Sequence, residues 1–378
     1  MDKPGTTRGN TKTETMPRTH RRALTHVLLF LTALLLIIYL GGDSSSSSES
    51  PSSLPLAKIA YTPKHPPPPR HGTCPGLHSS RKPALIVSHV AADGSLDWLD
   101  DLRDKFHVCV YEVDAPSHGN LQHEKVLRVP MNKGHEAMAF LTFIIDNYEN
   151  LPEQGLVFVH GSRYAWHNDH PEYDNLPLLQ SLDVPGALAR NSGYANLRCD
   201  WSVSTCRAAA KPQGSWETKV QAVMQPWDRR AKSDVLLAGV LRELFGVEIG
   251  RGEVLRSQCC AQFVVGRGNV WGWGREDYER LRGWVMETGE DDRVSGRVVS
   301  YLWGVLFLGK GVGGDGEKEG VSLRELNSRA CPSAEECYCR VYGRCGLECW
   351  DRGKCKGQYT LPREFKLPED WAARHSET

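Results

Sequence analysis

Hydrophobic positions are distributed along the chain in three regimes. Residues 23–40 read ALTHVLLFLTALLLIIYL, with no Asp, Glu, Lys or Arg. About 18 apolar residues are just enough to span a bilayer as a helix. Residues 43–83 are the opposite, rich in Ser and Pro, including Ser44–Ser48 and Pro66–Pro69. That composition buries too little apolar surface to fold and predicts a flexible stalk. From residue 84 onward, short apolar runs alternate with helical spacing. ALIVSHV (84–90), HVCVYEV (107–113), KVLRV (125–129) and LVFVH (156–160) read as strands, and 261–265 as a further short one. Leu96, Leu99 and Leu102 mark a short helix between the first two strands. The clearest helix runs over 133–150, where Ala137, Phe140, Leu141, Ile144, Ile145 and Tyr148 form one apolar stripe. Asn132 is its expected N-cap, and Leu151-Pro152 ends it. Further helices are expected near 176–182 and over 234–245, 276–288 and 295–308. Residues 202–233 read as loop, and 309–320 as a glycine-rich loop without the Lys-Ser/Thr ending of a phosphate-binding loop. Strands alternating with helices predict an α/β domain built on a mainly parallel sheet with helices on both faces.

The charges around the first apolar run orient it. Lys3, Arg8, Lys12, Arg18, Arg21 and Arg22 precede it, against Asp2 and Glu14, and GGDSSSSSES follows without a base. A basic flank stays cytosolic, so residues 1–22 read as a cytosolic tail and 23–42 as a signal-anchor. A cleaved signal peptide is the rival, but no A-x-A site follows Leu40. The expected layout is tail, anchor, stalk (43–83), lumenal α/β domain (84–330) and Cys-rich C-terminal segment (331–378). This makes a single-pass membrane protein of the endoplasmic reticulum or Golgi.

Over the whole chain Lys plus Arg and Asp plus Glu are both 46, which leaves no basic footprint for nucleic acid. The 12 cysteines suit an oxidising lumen better than the cytosol. Cys331, Cys337, Cys339, Cys345, Cys349 and Cys355 crowd the C-terminal end. They lack paired C-x2-C knuckles, so a disulfide knot is expected there and not a zinc site. Adjacent Cys259 and Cys260 are expected to reach elsewhere, with Cys199 and Cys206 as partners.

Ligands bind beyond the C-terminal strand ends of such sheets. His89, Asp114 and His160 sit at those ends, and Asn132 starts the adjacent helix. The following segment, GSRYAWHNDHPEYDN, places His167, Asp169 and His170 close together. Imidazole and carboxylate at this spacing suit a divalent metal, with His160, His167 and Asp169 as ligands, or a general base, with Glu136 or Asp169 in that role. His89, Asp114, Asn132, His160 and Trp166 are the candidate ligand contacts, Trp166 by stacking on a flat group. The bland alternative is that these side chains merely brace strand tips and a loop.

Several stretches in fixed order carry a resemblance. NKGHE (132–136), IIDNYENLP, VFVHGSRYAWHND, GYANLRC, CCAQFVV, SGRVVSYLWGVLF and the C-terminal CP…CYC…YGRCG resemble a fungal family of domains of unknown function, DUF3431. The N-x-G-x-E helix and its following strand also look like a stretch of glycosyltransferases. The resemblance implies a GT-A-like fold, a nucleotide-sugar donor, a glycan or protein acceptor, and a metal such as Mn²⁺ held by Asp-x-Asp. Here the equivalent strand ends Val159-His160-Gly161-Ser162. The family pattern E-Y-x-W-H is also altered, with Ser300 and Gly304 in place of Glu and His beside Tyr301 and Trp303. Two readings follow. One is a membrane-anchored glycosyltransferase-like enzyme, and the other is a non-catalytic lumenal binding or scaffold protein on the same fold.

Overall fold

The computed structural model describes residues 18–42, 54, 56–70, 72–114, 127–202, 204–250, 252–310 and 321–355. The chain divides into two compact units, Met1–Glu49 and Ser50–Thr378. In the first, Arg18–Gly42 forms one 25-residue helix (α1), with side chains described over 22–35. Among the described residues no helix is long and apolar enough to cross a membrane.

Among the described residues the strands all belong to the second unit. In chain order its elements are β1 (Ala84–His89), β2 (His107–Glu112), β3 (Leu127–Arg128), α2 (Glu136–Asp146), β4 (Leu156–His160), α3 (Asn175–Ser181), α4 (Val184–Arg190) and β5 (Tyr194–Asn196). Then come α5 (Trp216–Met224), α6 (Arg229–Phe245), β6 (Phe263–Val265), α7 (Arg267–Trp271), α8 (Arg275–Glu287), α9 (Asp292–Leu308), α10 (Leu323–Ala330), α11 (Ala334–Tyr342), β7 (Cys349–Asp351) and β8 (Lys354–Cys355). Six strands form one sheet in the order β3-β2-β1-β4-β6-β5. The first four run parallel, and β6 runs antiparallel to both β4 and β5. The expected α/β architecture and mostly parallel sheet are therefore present. Residues 125–126 of the expected third strand lie outside the described residues.

Alternation along the central strands builds two cores. Ile86, Phe158 and Phe263 face α2, α8 and α9. Leu85, Val87, Val157, Val159 and Val264 face Trp98, Leu99, α3, α4 and α11. Burial on both faces explains why these strands read as continuous apolar runs. Helix α2 is buried all round from Ala137 to Asp146, because it lies between the sheet and α8 and α9. The single stripe expected from the sequence is its sheet-facing part.

Three expectations are corrected. Helix α2 starts at Glu136, not Lys133. Its cap position is His135 (φ 51°), and Asn132 is exposed four residues before the first turn. The expected stalk is not free over its described part. Leu54, Leu56, Ile59, Cys74 and Leu77 are buried in the core, Leu54 N–H donates to Val321 O, and Gly72 N–H donates to Asp146 Oδ2 at 2.7 Å. Five single anchors scattered through a Pro- and Ser-rich stretch hold it, too few to alter its composition. The remainder, 43–53, 55 and 71, lies outside the described residues. The cysteine pairing also differs: Cys199 bonds Cys337, Cys206 bonds Cys331, and Cys259 bonds Cys260. Cys74–Cys109, Cys339–Cys345 and Cys349–Cys355 complete the set. The C-terminal segment is thereby tied into the α/β unit, with Tyr338, Val341 and Tyr342 of α11 in its core.

Candidate functional site

From β1 the chain winds outward through β2 to β3, then crosses to the other side of β1 to form β4. The C-terminal ends of β1 and β4 therefore flank a topological switch point, where open α/β sheets bind their ligands. His89 and His160 stand at those two ends. Gly161 follows directly, and a Cβ there would meet His89 Nδ1 at 2.8 Å and His89 Cα at 2.9 Å. Glycine is thus required for the two strand ends to close together.

Alternation sends the two histidines to opposite faces. His160 is in phase with Phe158 and points toward α2. Its Nδ1 lies 4.0 Å from Glu136 Oε2, on the first residue of that helix. Its Nε2 is 2.8 Å from the Cys260 carbonyl, and its ring meets that of His167 edge-on at 4.5 Å. A carbonyl only accepts, so His160 carries a proton on Nε2 and presents Nδ1 to Glu136. His89 is in phase with Val87. It is buried, its Nδ1 makes no hydrogen bond, and Asp93 Oδ2 lies 3.6 Å away.

Strained backbone surrounds the Glu136–His160 pair. His135 (φ 51°), Cys260 (φ 83°) and Ala261 (φ 45°) are left-handed without being glycine. Such residues cost about 1–3 kcal/mol each and persist where the surroundings enforce them, often at functional sites. Trp166 is half-exposed and meets His167 edge-on at 5.2 Å.

The other candidates are placed differently. Asp169 is buried, and its Oδ2 accepts from Cys199 N–H at 2.6 Å and from the Tyr338 hydroxyl at 2.7 Å. Burial pushes its carboxyl above the ordinary aspartate value. Through Oδ2 it braces the join between the 161–174 loop and α11, and its Oδ1 is buried without a hydrogen-bond partner. Among the described residues, one group of three donors lies within 4.8 Å of one another: Cys74, His107 and Cys109, whose two sulfurs form a disulfide. His160, His167 and Asp169 do not converge in this way, so the expected metal triad is not formed, and the residues present do not fit an Mn²⁺ site. Asp114 is exposed, and both its oxygens accept from Ala91 N–H, at 3.1 and 3.0 Å. It fixes the turn after β1. Asn132 lies on the surface away from the cap it was expected to form. Tyr301 donates to Asp234 Oδ1 at 2.7 Å, and Trp303 stacks on Phe307, so both retained residues of the altered family pattern serve the core.

The 161–174 loop is held by its own polar groups. Arg163 pairs with Asp174 through two bonds of 3.0 and 2.8 Å. Asn168 donates to the Arg163 and Tyr173 carbonyls, and accepts from Gln262. Sequence reading missed Cys260, whose carbonyl fixes His160. The adjacent cysteine pair was a visible signal, but it pointed to distant disulfide partners. It also missed Asp93, because nothing in the sequence sets that residue apart from its neighbours.

A family model described as "Protein of unknown function (DUF3431)" matches residues 85–340. No curated protein matches the chain, and no solved structure does.

Proposed function

The chain belongs to the DUF3431 family, and we propose that its folded unit is a glycosyltransferase-like enzyme that binds a nucleotide-sugar at the β1–β4 switch point. In this reading the unit lies in the lumen of the endoplasmic reticulum or Golgi, held by residues 23–42 as a membrane anchor. One observation carries the proposal. Glu136 and His160 face each other at 4.0 Å, at the edge where a parallel sheet binds ligands. The mixed sheet, with reversed β6 beside the parallel half, suits the GT-A-like resemblance. Glu136 is the general base and takes the proton of the acceptor hydroxyl. His160, fixed by the Cys260 carbonyl, presents Nδ1 to that carboxylate and positions it. Trp166 stacks on the base or sugar. Asp169 is assigned a bracing role, its Oδ2 being bonded to Cys199 N–H and to the Tyr338 hydroxyl.

The second reading, a non-catalytic lumenal binding protein on the same frame, draws on the missing Asp-x-Asp and the unformed metal triad. Thermal unfolding of the full chain with a panel of nucleotide-sugars, with and without Mn²⁺, separates the two. A ligand at a hundredfold excess over its dissociation constant adds about 2.7 kcal/mol. The enzyme reading expects one nucleotide-sugar to stabilise the protein, and Glu136→Gln to slow transfer by about 10²–10⁴-fold. The unliganded melting temperature of that variant should stay unchanged. Stabilisation by a free glycan but by no nucleotide-sugar would establish the second reading instead.

A further inference from the structure

Helix α5 is amphipathic in the inverted sense. Its N-cap is Ser215, which accepts from Thr218 N–H, and it packs along α6. The side toward the protein is polar or small: Thr218 is buried, Ala222 is half-buried, and Gln221 donates to Asp228 Oδ2 at 2.9 Å. The side toward solvent carries Trp216, Val220, Val223 and Met224, with Trp227 just beyond the helix end. Within the helix Trp216, Val220, Val223 and Met224 fall at i, i+4, i+7 and i+8, one stripe, and Trp227 lies past the helix end. Trp216, Val223, Met224 and Trp227 are each 68–77% exposed. Scattered exposed apolar side chains are ordinary, but a contiguous helical stripe with exposed tryptophans at and beyond its two ends marks a docking surface.

We propose that this stripe lies in the surface of the membrane that carries the protein, with Trp216 and Trp227 at headgroup level and Val220, Val223 and Met224 in the acyl boundary. The proposal rests on the anchor reading above. Three observations favour a bilayer as the occupant. Tryptophan is enriched at membrane–water interfaces, and a helix with a strong apolar face lies there with that face buried about 5–10 Å. The charges bordering the stripe are net basic, Lys211, Lys219, Arg229 and Arg230 against Glu217 and Asp228. Glu217 is paired with Lys211, and Asp228 is turned inward to cap α6. Exposed Lys219 and half-exposed Arg229 and Arg230 remain to face the phosphates of the headgroups, the two arginines in long pairs of 3.8 and 4.0 Å with Asp291 and Asp234. The connecting chain is also short. Residues 43–53 separate α1 from Leu54, the first core residue among the described residues. Fully extended, they reach about 40 Å at most, so an anchored chain keeps this unit beside its own membrane.

The first tryptophan of the chain is Trp98, so tryptophan fluorescence reports the folded unit and not the anchor. The full chain is reconstituted into phosphatidylcholine–phosphatidylserine vesicles whose acyl chains carry bromine. Flotation and tryptophan quenching are measured together, with Trp216→Ser and Trp227→Ser as variants. The proposal expects the wild type to float with its fluorescence quenched. The double variant should still float while most of the quenching is lost. Flotation with equal quenching in wild type and variant overturns the docking and leaves the anchor intact. Failure to float overturns the anchor and the docking with it. A wild-type dimer in detergent that the double variant loses, with no quenching in vesicles, assigns the stripe to a second copy and overturns the proposal.

Discussion

At the residue scale, the candidate site shows that a polar residue at a strand tip or in a loop has two fates, and that burial tells them apart. Glu136 and His160 keep part of their side chains in solvent, at 16% and 19% exposure, with one long contact between them. Asp169 is sealed and holds an amide and a hydroxyl. Replacing it is therefore expected to cost stability without touching ligand binding. Asp169→Ala strands Cys199 N–H and the Tyr338 hydroxyl in a buried place, at about 1–3 kcal/mol for each group left unsatisfied. The pH dependence has a definite sign. The folded carboxyl titrates above its unfolded value, so its contribution is complete below about pH 3.9 and is lost as pH rises through the raised folded value. Asp169→Asn should remove that slope from the stability–pH curve. A curve of unchanged slope for Asp169→Asn would show that this carboxyl is ionised in the folded protein as it is in the unfolded one.

At the element scale, the Pro-rich segment before β1 is a strap fastened to α8. Glu287, on the last turn of α8, accepts from the Tyr61 hydroxyl at 2.6 Å, from Lys64 N–H at 2.8 Å and from His65 N–H at 2.9 Å. These bonds, that of the Tyr61 hydroxyl first, lower its carboxyl to about 2. The contribution of a depressed carboxyl is present above the unfolded value and lost as pH falls through the folded one. The strap should therefore hold at neutral pH and loosen between about pH 4.5 and pH 2. Amide exchange of Lys64 and His65 should accelerate in that window, and Glu287→Gln should make it fast at neutral pH. Slow exchange in the variant would show that the prolines alone hold the strap. The same segment shows what was legible beforehand. Strands β1, β2 and β4 and helices α8 and α9 were readable because each carries a dense apolar period that a packed interior demands. The strap was not, because Leu54, Leu56 and Ile59 are isolated among residues that favour disorder. Helix α5 was missed for the inverse reason. Its apolar period is complete, but two tryptophans, a proline and a run of charges around it read as loop when an inward face is assumed. Within the site, His160 and Glu136 were legible from strand-end and helix-start logic. The role of Asp169 was not, because its partners Cys199 and Tyr338 lie 30 and 169 residues away.

At the scale of the whole molecule, the disulfides decide how the C-terminal third is held. Cys199–Cys337 and Cys206–Cys331 close separations of 138 and 125 residues, whereas Cys339–Cys345 and Cys349–Cys355 each close six. In the chain-entropy model, stabilisation grows with the logarithm of the loop, to about 5 kcal/mol for each long one. The two long bridges fasten α10 and α11 beside the segment that follows β5, and Asp169, bonded to both Cys199 N–H and the Tyr338 hydroxyl, sits between the joined parts. Mild reduction should therefore act through this seam. Cys199→Ala combined with Cys337→Ala should lower the melting temperature far more than Cys349→Ala combined with Cys355→Ala. It should also expose the amides of α11 to exchange while β1 and β4 stay protected. Peptide mapping of the unreduced protein is the companion measurement, with Cys199–Cys337 and Cys206–Cys331 as the diagnostic cross-links. Recovery of Cys199 or Cys206 joined to Cys259 or Cys260 would refute this wiring. Equal melting of the two double variants would show instead that α11 is held by Val341, Tyr338 and Tyr342 in the core, with the bridges adding nothing to that packing.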